Sequence, residues 1–180
     1  MRILRLHKAT MLAAALVVSA SLIAQEPAPP RQDPCNGMEQ FSQFDFWVGE
    51  WTVAIADGTQ AGRNLITKEK GGCLLTEHWT SVRGGTGFSL NYYDPTAGEW
   101  VQNWVDGSGS IIDIRGGIEE GSMVLTGTIQ YVGNGKVNAF RGKWTLLGDG
   151  RVRQFFEEST DGGKSWTTWF EGFYSRQSAP

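Results

Sequence analysis

Residues 44–53 read FDFWVGEWTV and carry more information about the architecture of this chain than any other segment. They combine a dense group of aromatic side chains with a Gly-x-Trp step at Gly49 and Trp51. A glycine allows a tight turn, and an indole two residues later can fill the end of a barrel that the following strands close. The segment therefore predicts the structural entry into a β-barrel and points to no chemistry of its own.

The remainder of the chain has the pattern of an all-β domain. From residue 44 onward, short apolar-polar alternations are interrupted by Gly, Asn and Asp, and no stretch keeps a helical period for three turns. All links are short, which favours an antiparallel meander, here predicted to close into a barrel of about ten strands. The predicted strands are 46–56, 62–70, 73–82, 86–94, 99–106, 110–116, 121–131, 136–146, 150–159 and 166–176.

One predicted hairpin carries a motif. Residues 159–166 read STDGGKSW and match the Ser-x-Asp-x-Gly-x-Ser/Thr-Trp pattern of the Asp-box hairpins of sialidase propellers. A propeller would show periodic copies, whereas this chain has one copy. The motif therefore predicts a turn in which Asp161 accepts hydrogen bonds from backbone amides, with Trp166 packed under it.

The first 25 residues have the layout of a secretory signal peptide. Three basic residues precede a largely apolar run over residues 11–23, and small residues lie near its end. We expect cleavage between Ala20 and Gln25, which would place the mature protein in the periplasm or outside the cell. An uncleaved membrane anchor is the alternative, but a spanning helix needs about 20 apolar residues.

The mature chain divides into a tether and one domain. Residues 26–40 contain four prolines and predict an N-terminal tether, and residues 41–180 are long enough for a single β-barrel domain. Cys35 and Cys73 are the two cysteines of the chain. In an oxidising compartment an even pair is most simply a disulfide, because two cysteines make an incomplete metal site even with His78 nearby.

The charge of the mature chain argues against nucleic acids and anionic membranes as partners. The signal peptide carries three basic and no acidic residues, so 13 basic and 19 acidic residues remain and give a net charge of −6. The remaining Lys and Arg residues are scattered and form no stripe that could follow a phosphate backbone. We expect no nucleic-acid partner and no membrane insertion after signal cleavage.

At both ends of the domain the residues resemble a known arrangement. Gly49-Glu50-Trp51 at the first strand, together with Arg176 at the last, is similar to the calycin pattern of lipocalins and fatty-acid-binding proteins, in which a basic side chain packs across the Trp. Segments 44–51, 72–79 and 104–106 also resemble a family of exported bacterial proteins with a calycin-like barrel and no established activity. The resemblance implies a fold and structural roles for Trp51 and Arg176.

Strand alternation predicts which side chains share a face. Glu77 and Trp79 form one such group. The other groups are Trp100, Gln102, Trp104 and Asp106 on one strand, and Trp169, Glu171 and Phe173 on another. Val101, Val105, Phe170 and Tyr174 would then form the opposite, packed face. Because aromatic and polar residues share faces, the pattern favours an inner pocket, although the inner and outer faces could be reversed.

The chain contains eight Trp residues, and ring faces suit flat apolar ligands or sugars. We assign Trp47, Trp51 and Trp166 to packing. The predicted ligand-binding residues are Glu77, Trp79, Gln102, Trp104, Trp169 and Glu171. The expected ligand is a small apolar or aromatic molecule that is bound without being transformed.

Two other functions remain open at this point. A hydrolase or isomerase could use a carboxylate pair such as Glu77 and Glu171, whose pKa values would split in an apolar cavity. Alternatively, a barrel that is solid inside would be a structural or partner-binding module. We identify no catalytic residues and expect no cofactor or metal. A haem-binding barrel of the nitrobindin type takes its axial His from late in the chain, and no His follows His78 here.

Overall fold

A computed structural model of the protein describes residues 33–177. The predicted signal peptide and residues 26–32 of the predicted tether lie outside the described residues. Strands make up 62% of the described residues and helices 5%. A short helix α1 spans Glu39–Ser42, and a 3-10 turn spans Asp45–Trp47. The strands are β1 Gly49–Ala54, β2 Gln60–Glu69, β3 Leu74–Ser81, β4 Thr86–Asp94, β5 Glu99–Asp106, β6 Ser110–Glu119, β7 Ser122–Tyr131, β8 Lys136–Leu146, β9 Val152–Ser159 and β10 Thr167–Arg176.

These ten strands form a closed antiparallel barrel in which each strand pairs with its neighbours in sequence and β1 pairs with β10. The predicted all-β fold and meander order are confirmed. Two boundaries differ by three residues, and the others differ by at most two. The first strand begins only at Gly49, because Asp45–Trp47 forms the 3-10 turn, and β6 continues beyond Gly116 because Gly117 and Ile118 still pair with Val124 and Met123 of β7.

The barrel closes where β1 pairs with β10, and in this pairing Trp51 lies opposite Arg176. The Arg176 guanidinium lies 4.5 Å from the centroid of the Trp51 ring, and its Nη1 donates to the carbonyl of Val48 at 3.2 Å. Gly49 has a φ of +146°, and a Cβ there would lie 2.4 Å from Arg176 Nη1. Only a glycine leaves room for this guanidinium across the indole.

One end of the barrel is filled by aromatic rings. Phe44 stacks on Trp47 at a centroid distance of 4.9 Å and meets Trp100 and Trp144 edge-on at 5.6 and 5.2 Å. Trp100 lies near the start of β5 and Trp144 near the end of β8, so both belong to the end at which β1 begins. These four buried residues form the packed end of the barrel.

Two further contacts hold the N-terminal segment against the barrel. Cys35 and Cys73 form the expected disulfide, which joins this segment to the turn between β2 and β3. Lys68 Nζ lies 2.7 Å from a carboxylate oxygen of Asp45 and donates to the carbonyl of Phe41 at 3.1 Å. Within residues 33–177, neither α1 nor the 3-10 turn has the length and apolarity of a membrane-spanning helix.

Candidate functional site

The end of the barrel opposite the packed end contains a cavity of about 200 Å³. It lies between the end of β3, the start of β4, the end of β5, β9 and the start of β10. Six aromatic side chains line it: Trp79, Trp104, Phe156, Trp169, Phe170 and Tyr174. The predicted pocket residues Trp79, Gln102, Trp104, Trp169 and Glu77 all border this cavity.

Glycines on neighbouring strands make room for these rings. A Cβ on Gly87 would lie 2.0 Å from the Trp104 ring, and a Cβ on Gly62 would lie 2.6 Å from the Trp79 ring. The same relation joins Gly142 to Phe156 at 2.5 Å. Because a missing side chain allows a ring to lie flat against the neighbouring strand, the glycines determine where the cavity walls stand.

The start of β10 departs from simple alternation, and the expectation that Trp169 and Glu171 share a face is wrong. The pairing of β10 with β9 shifts register between Thr168 and Phe170, which brings both Trp169 and Phe170 to the cavity. Glu171 instead accepts a hydrogen bond from Arg153 Nε at 2.7 Å and is not among the lining residues. A bulge inserts one residue into the alternation and so reverses the facing of the residues beyond it.

A second correction follows from the same shift. Phe170 and Tyr174, which the alternation placed on the packed face opposite the pocket, both line the cavity. Glu171 therefore cannot form a carboxylate pair with Glu77, because the two side chains lie on different faces of the sheet.

The inner part of the cavity is polar and centred on Glu77, which is 2% exposed. Asn64 Nδ2 donates to Glu77 Oε1 at 2.7 Å, and Ser89 Oγ donates to Glu77 Oε2 at 2.7 Å. Burial raises the pKa of Glu77 to about 7, although these two hydrogen bonds lower it. The carboxyl group is therefore able to exchange a proton near neutral pH.

The hydrogen bonds around Glu77 continue in both directions. On one side Gln102 Nε2 donates to Asn91 Oδ1 at 2.8 Å, and Asn91 Nδ2 donates to Ser89 Oγ at 2.8 Å. On the other side Asn64 Nδ2 donates to the Tyr174 hydroxyl at 3.2 Å, and that hydroxyl donates to Gln154 Oε1. Burial, followed by the charge of Glu77, raises the pKa of Tyr174 well above its ordinary value, so this phenol stays protonated.

This polar network consists of seven buried or nearly buried side chains from six strands: Asn64, Glu77, Ser89, Asn91, Gln102, Gln154 and Tyr174. Gln102 Oε1 and Asn64 Oδ1 are buried acceptors without a hydrogen-bond partner among the described residues. Trp104 Nε1 is a buried donor that also has no hydrogen-bond partner among the described residues. Unpaired buried polar atoms are costly, and those of Gln102 and Trp104, which border the cavity, are atoms that a ligand can satisfy.

The mouth of the cavity is held by two other hydrogen-bonded groups. Trp169 Nε1 donates to the Tyr131 hydroxyl at 3.1 Å, and Tyr131 donates to Glu158 Oε2 at 3.0 Å. Asp106 also borders the cavity; burial raises its pKa, but hydrogen bonds from Ser108 and Ser110 outweigh burial and hold the pKa below the usual range. Asp106 is therefore an ionised turn residue.

His78 lies on the outer side of β3, where its ring meets the Phe88 ring at 4.9 Å. This position agrees with the expectation that it faces away from Glu77 and Trp79. Trp166 lies under the Arg141 guanidinium at 4.2 Å, and the adjacent turn has the predicted hydrogen bonds from the amides of Lys164 and Ser165 to Asp161 Oδ1. Across residues 33–177, no group of three His, Cys, Asp or Glu side chains is placed to hold a metal ion.

Several site residues were missed in the sequence. Asn64, Ser89, Asn91 and Gln154 are short or neutral polar residues at inward positions of strands, and Phe156 was not considered for the pocket. The sequence did contain a signal for the polar residues. Each of them lies two positions from an apolar residue or a glycine on the same strand, and residues two apart share a face, so the inward apolar residues would have placed it inside.

The scan against protein-family models returns no matching family, and the search of curated proteins returns no significant match. The geometry of the cavity therefore carries the functional argument.

Proposed function

We propose that this protein binds a small apolar or aromatic molecule inside the barrel. The observation that carries the proposal is a cavity with aromatic walls whose inner part is a buried polar network with unpaired atoms. Apolar walls supply the free energy of binding, and a few placed polar atoms select the ligand and its orientation. An aromatic wall also favours stacked or edge-on contacts with a ring.

The size of the cavity limits the ligand. A dry apolar cavity of about 150 Å³ accommodates benzene. A cavity of about 200 Å³ suits one aromatic ring with a short substituent and is small for a folded fatty-acid chain. The walls and the volume thus favour a single-ring ligand over a long lipid.

Tryptophan fluorescence tests this proposal, because Trp79, Trp104 and Trp169 line the cavity. Single-ring aromatics should change the emission in a saturable way, whereas long-chain lipids should not. Trp104→Leu should weaken binding at least tenfold, and Trp166→Leu, on the outer surface, should leave it unchanged. No saturable change with any single-ring compound at millimolar concentration would contradict the proposal.

A second candidate function rests on Glu77 alone. A buried carboxyl group with a pKa of about 7 can act as a general base or acid for a bound molecule at neutral pH. In that case Glu77→Gln should abolish turnover of a bound compound, while Glu171→Gln, in its outer ion pair, should keep it. Turnover that survives Glu77→Gln would remove this candidate.

Export to the periplasm or the extracellular space completes the proposal. The Cys35–Cys73 disulfide supports an oxidising compartment. Fractionation of the native host, with the mass of the mature N-terminus, tests it. A cytosolic protein that retains residues 1–25 would contradict it.

A further inference from the structure

The hydrogen bonds of the polar network run toward Glu77. Gln102 donates to Asn91, Asn91 donates to Ser89, and Ser89 donates to Glu77 Oε2. Asn64 donates to Glu77 Oε1. Each carboxylate oxygen therefore receives a hydrogen bond, which is the arrangement that suits an ionised carboxylate.

No positive charge accompanies this carboxylate. Among the described residues that line the cavity there is no Lys, Arg or His. The other titratable groups that line the cavity are Tyr174 of β10 and Asp106 of β5, which are both acids. Arg153 of β9 and Arg176 of β10 are outside the cavity lining and are engaged with Glu171 and Trp51. A buried carboxylate without a cation loses its hydration without gaining an opposite charge, and a cationic ligand would recover part of this loss.

The rest of the inner cavity also favours a ligand that donates hydrogen bonds. Gln102 borders the cavity, is 1% exposed and leaves Oε1 without a donor. The faces of Trp79 and Trp104 attract cations through the ring quadrupole. Acceptor oxygens, a carboxylate and indole rings together form a site for an ammonium group that carries an aromatic ring.

We infer that the cavity binds a small protonated aromatic amine, with the ammonium group at Glu77 and Gln102 and the ring among the indoles of Trp79 and Trp104. This inference rests on the proposed function and names the class of ligand for the same cavity. A ring with a two-carbon aminoalkyl arm is within the size that the cavity accepts.

Calorimetric titration of the intact protein with three ligands of equal size tests the inference. At pH 7.5, 2-phenylethylamine should bind at least tenfold more tightly than neutral 2-phenylethanol, and anionic phenylacetate should bind most weakly. If the alcohol or the carboxylate binds as tightly as the amine, the ligand class is wrong while binding in the barrel stands. If none of the three binds, both the proposed function and this inference fail.

A variant pair assigns the preference to Glu77. Glu77→Gln should weaken binding of 2-phenylethylamine at least tenfold and weaken binding of 2-phenylethanol far less, whereas Glu171→Gln should change neither affinity. The wild-type protein gives a test that requires no variant: amine affinity should fall as Glu77 is protonated, about 20-fold from pH 7.5 to 5.5, while alcohol affinity stays constant. Amine affinity that is constant over this range, or unaltered in a folded Glu77→Gln protein, would overturn the inference.

Discussion

At the scale of single residues, the unusual feature is an acidic side chain in a barrel interior. Glu77 is 2% exposed and is held by two neutral donors, and its pKa is raised by burial to about 7. In the unfolded chain this carboxyl group returns to an ordinary value of 4.5. The folded protein therefore keeps a proton between these pH values that the unfolded chain has lost, and its stability falls as the pH rises through this window.

Glu77→Gln should remove this pH dependence, because the amide fills the same space and does not ionise. The wild-type unfolding free energy should carry a loss from Glu77 of about 3 kcal/mol between pH 4.5 and 8, and the variant should lack this loss. Urea unfolding at pH 5 and pH 8 measures the difference, with Glu171→Gln as the control that keeps the wild-type dependence. Equal pH dependence in the wild type and Glu77→Gln would contradict the buried position of this carboxyl group.

At the scale of strands, ring positions depend on inward glycines of adjacent strands. Trp104 covers Gly87 and Trp79 covers Gly62, so each pair acts as one unit of the cavity wall. A cross-strand contact of this kind places a large ring without overfilling a small barrel.

Gly87→Ala should displace Trp104, because the new Cβ would lie 2.0 Å from the indole ring. We expect a loss of about 1–3 kcal/mol in unfolding free energy and weaker ligand binding. Gly117→Ala on β6 is the matched control, since nothing lies within 4 Å of its added Cβ. Urea unfolding and ligand titration measure both variants; equal behaviour would show that Trp104 does not rest on Gly87.

The strands also show what sequence could predict. Alternation and turn residues predicted all ten strands, because each strand is short and bounded by Gly, Asn or Asp. The bulge near Thr168 could not be predicted in this way, because a shift in register depends on the partner strand β9, and it misplaced Glu171 and Phe170. The polar network could not be predicted for a related reason, because its members come from six strands and meet only after the barrel closes.

At the scale of the whole molecule, the two ends of the barrel differ. Phe44, Trp47, Trp100 and Trp144 fill one end, and the disulfide ties the segment that contains Phe44 and Trp47 to the turn after β2. The other end contains the cavity. The packed aromatic rings and the disulfide thus lie at one end of the barrel, and the cavity proposed to bind a ligand lies at the other.

Removing the disulfide should lower stability without changing the site. The cysteines are separated by 38 residues, and a loop of this size predicts a loss of about 3–4 kcal/mol through the entropy of the unfolded chain. The Cys35→Ser/Cys73→Ser double variant should therefore unfold at lower urea but bind the same ligand with the same affinity. An unchanged midpoint, or affinity lost under conditions where the variant remains folded, would contradict this separation of roles.

The most direct test of the central claim is a crystal structure of the protein soaked with 2-phenylethylamine. We predict the ring in the cavity among Trp79, Trp104 and Trp169, with the nitrogen about 3 Å from an oxygen of Glu77. A cavity that stays without ligand at saturating amine, or a nitrogen turned away from Glu77 toward the mouth, would contradict the account.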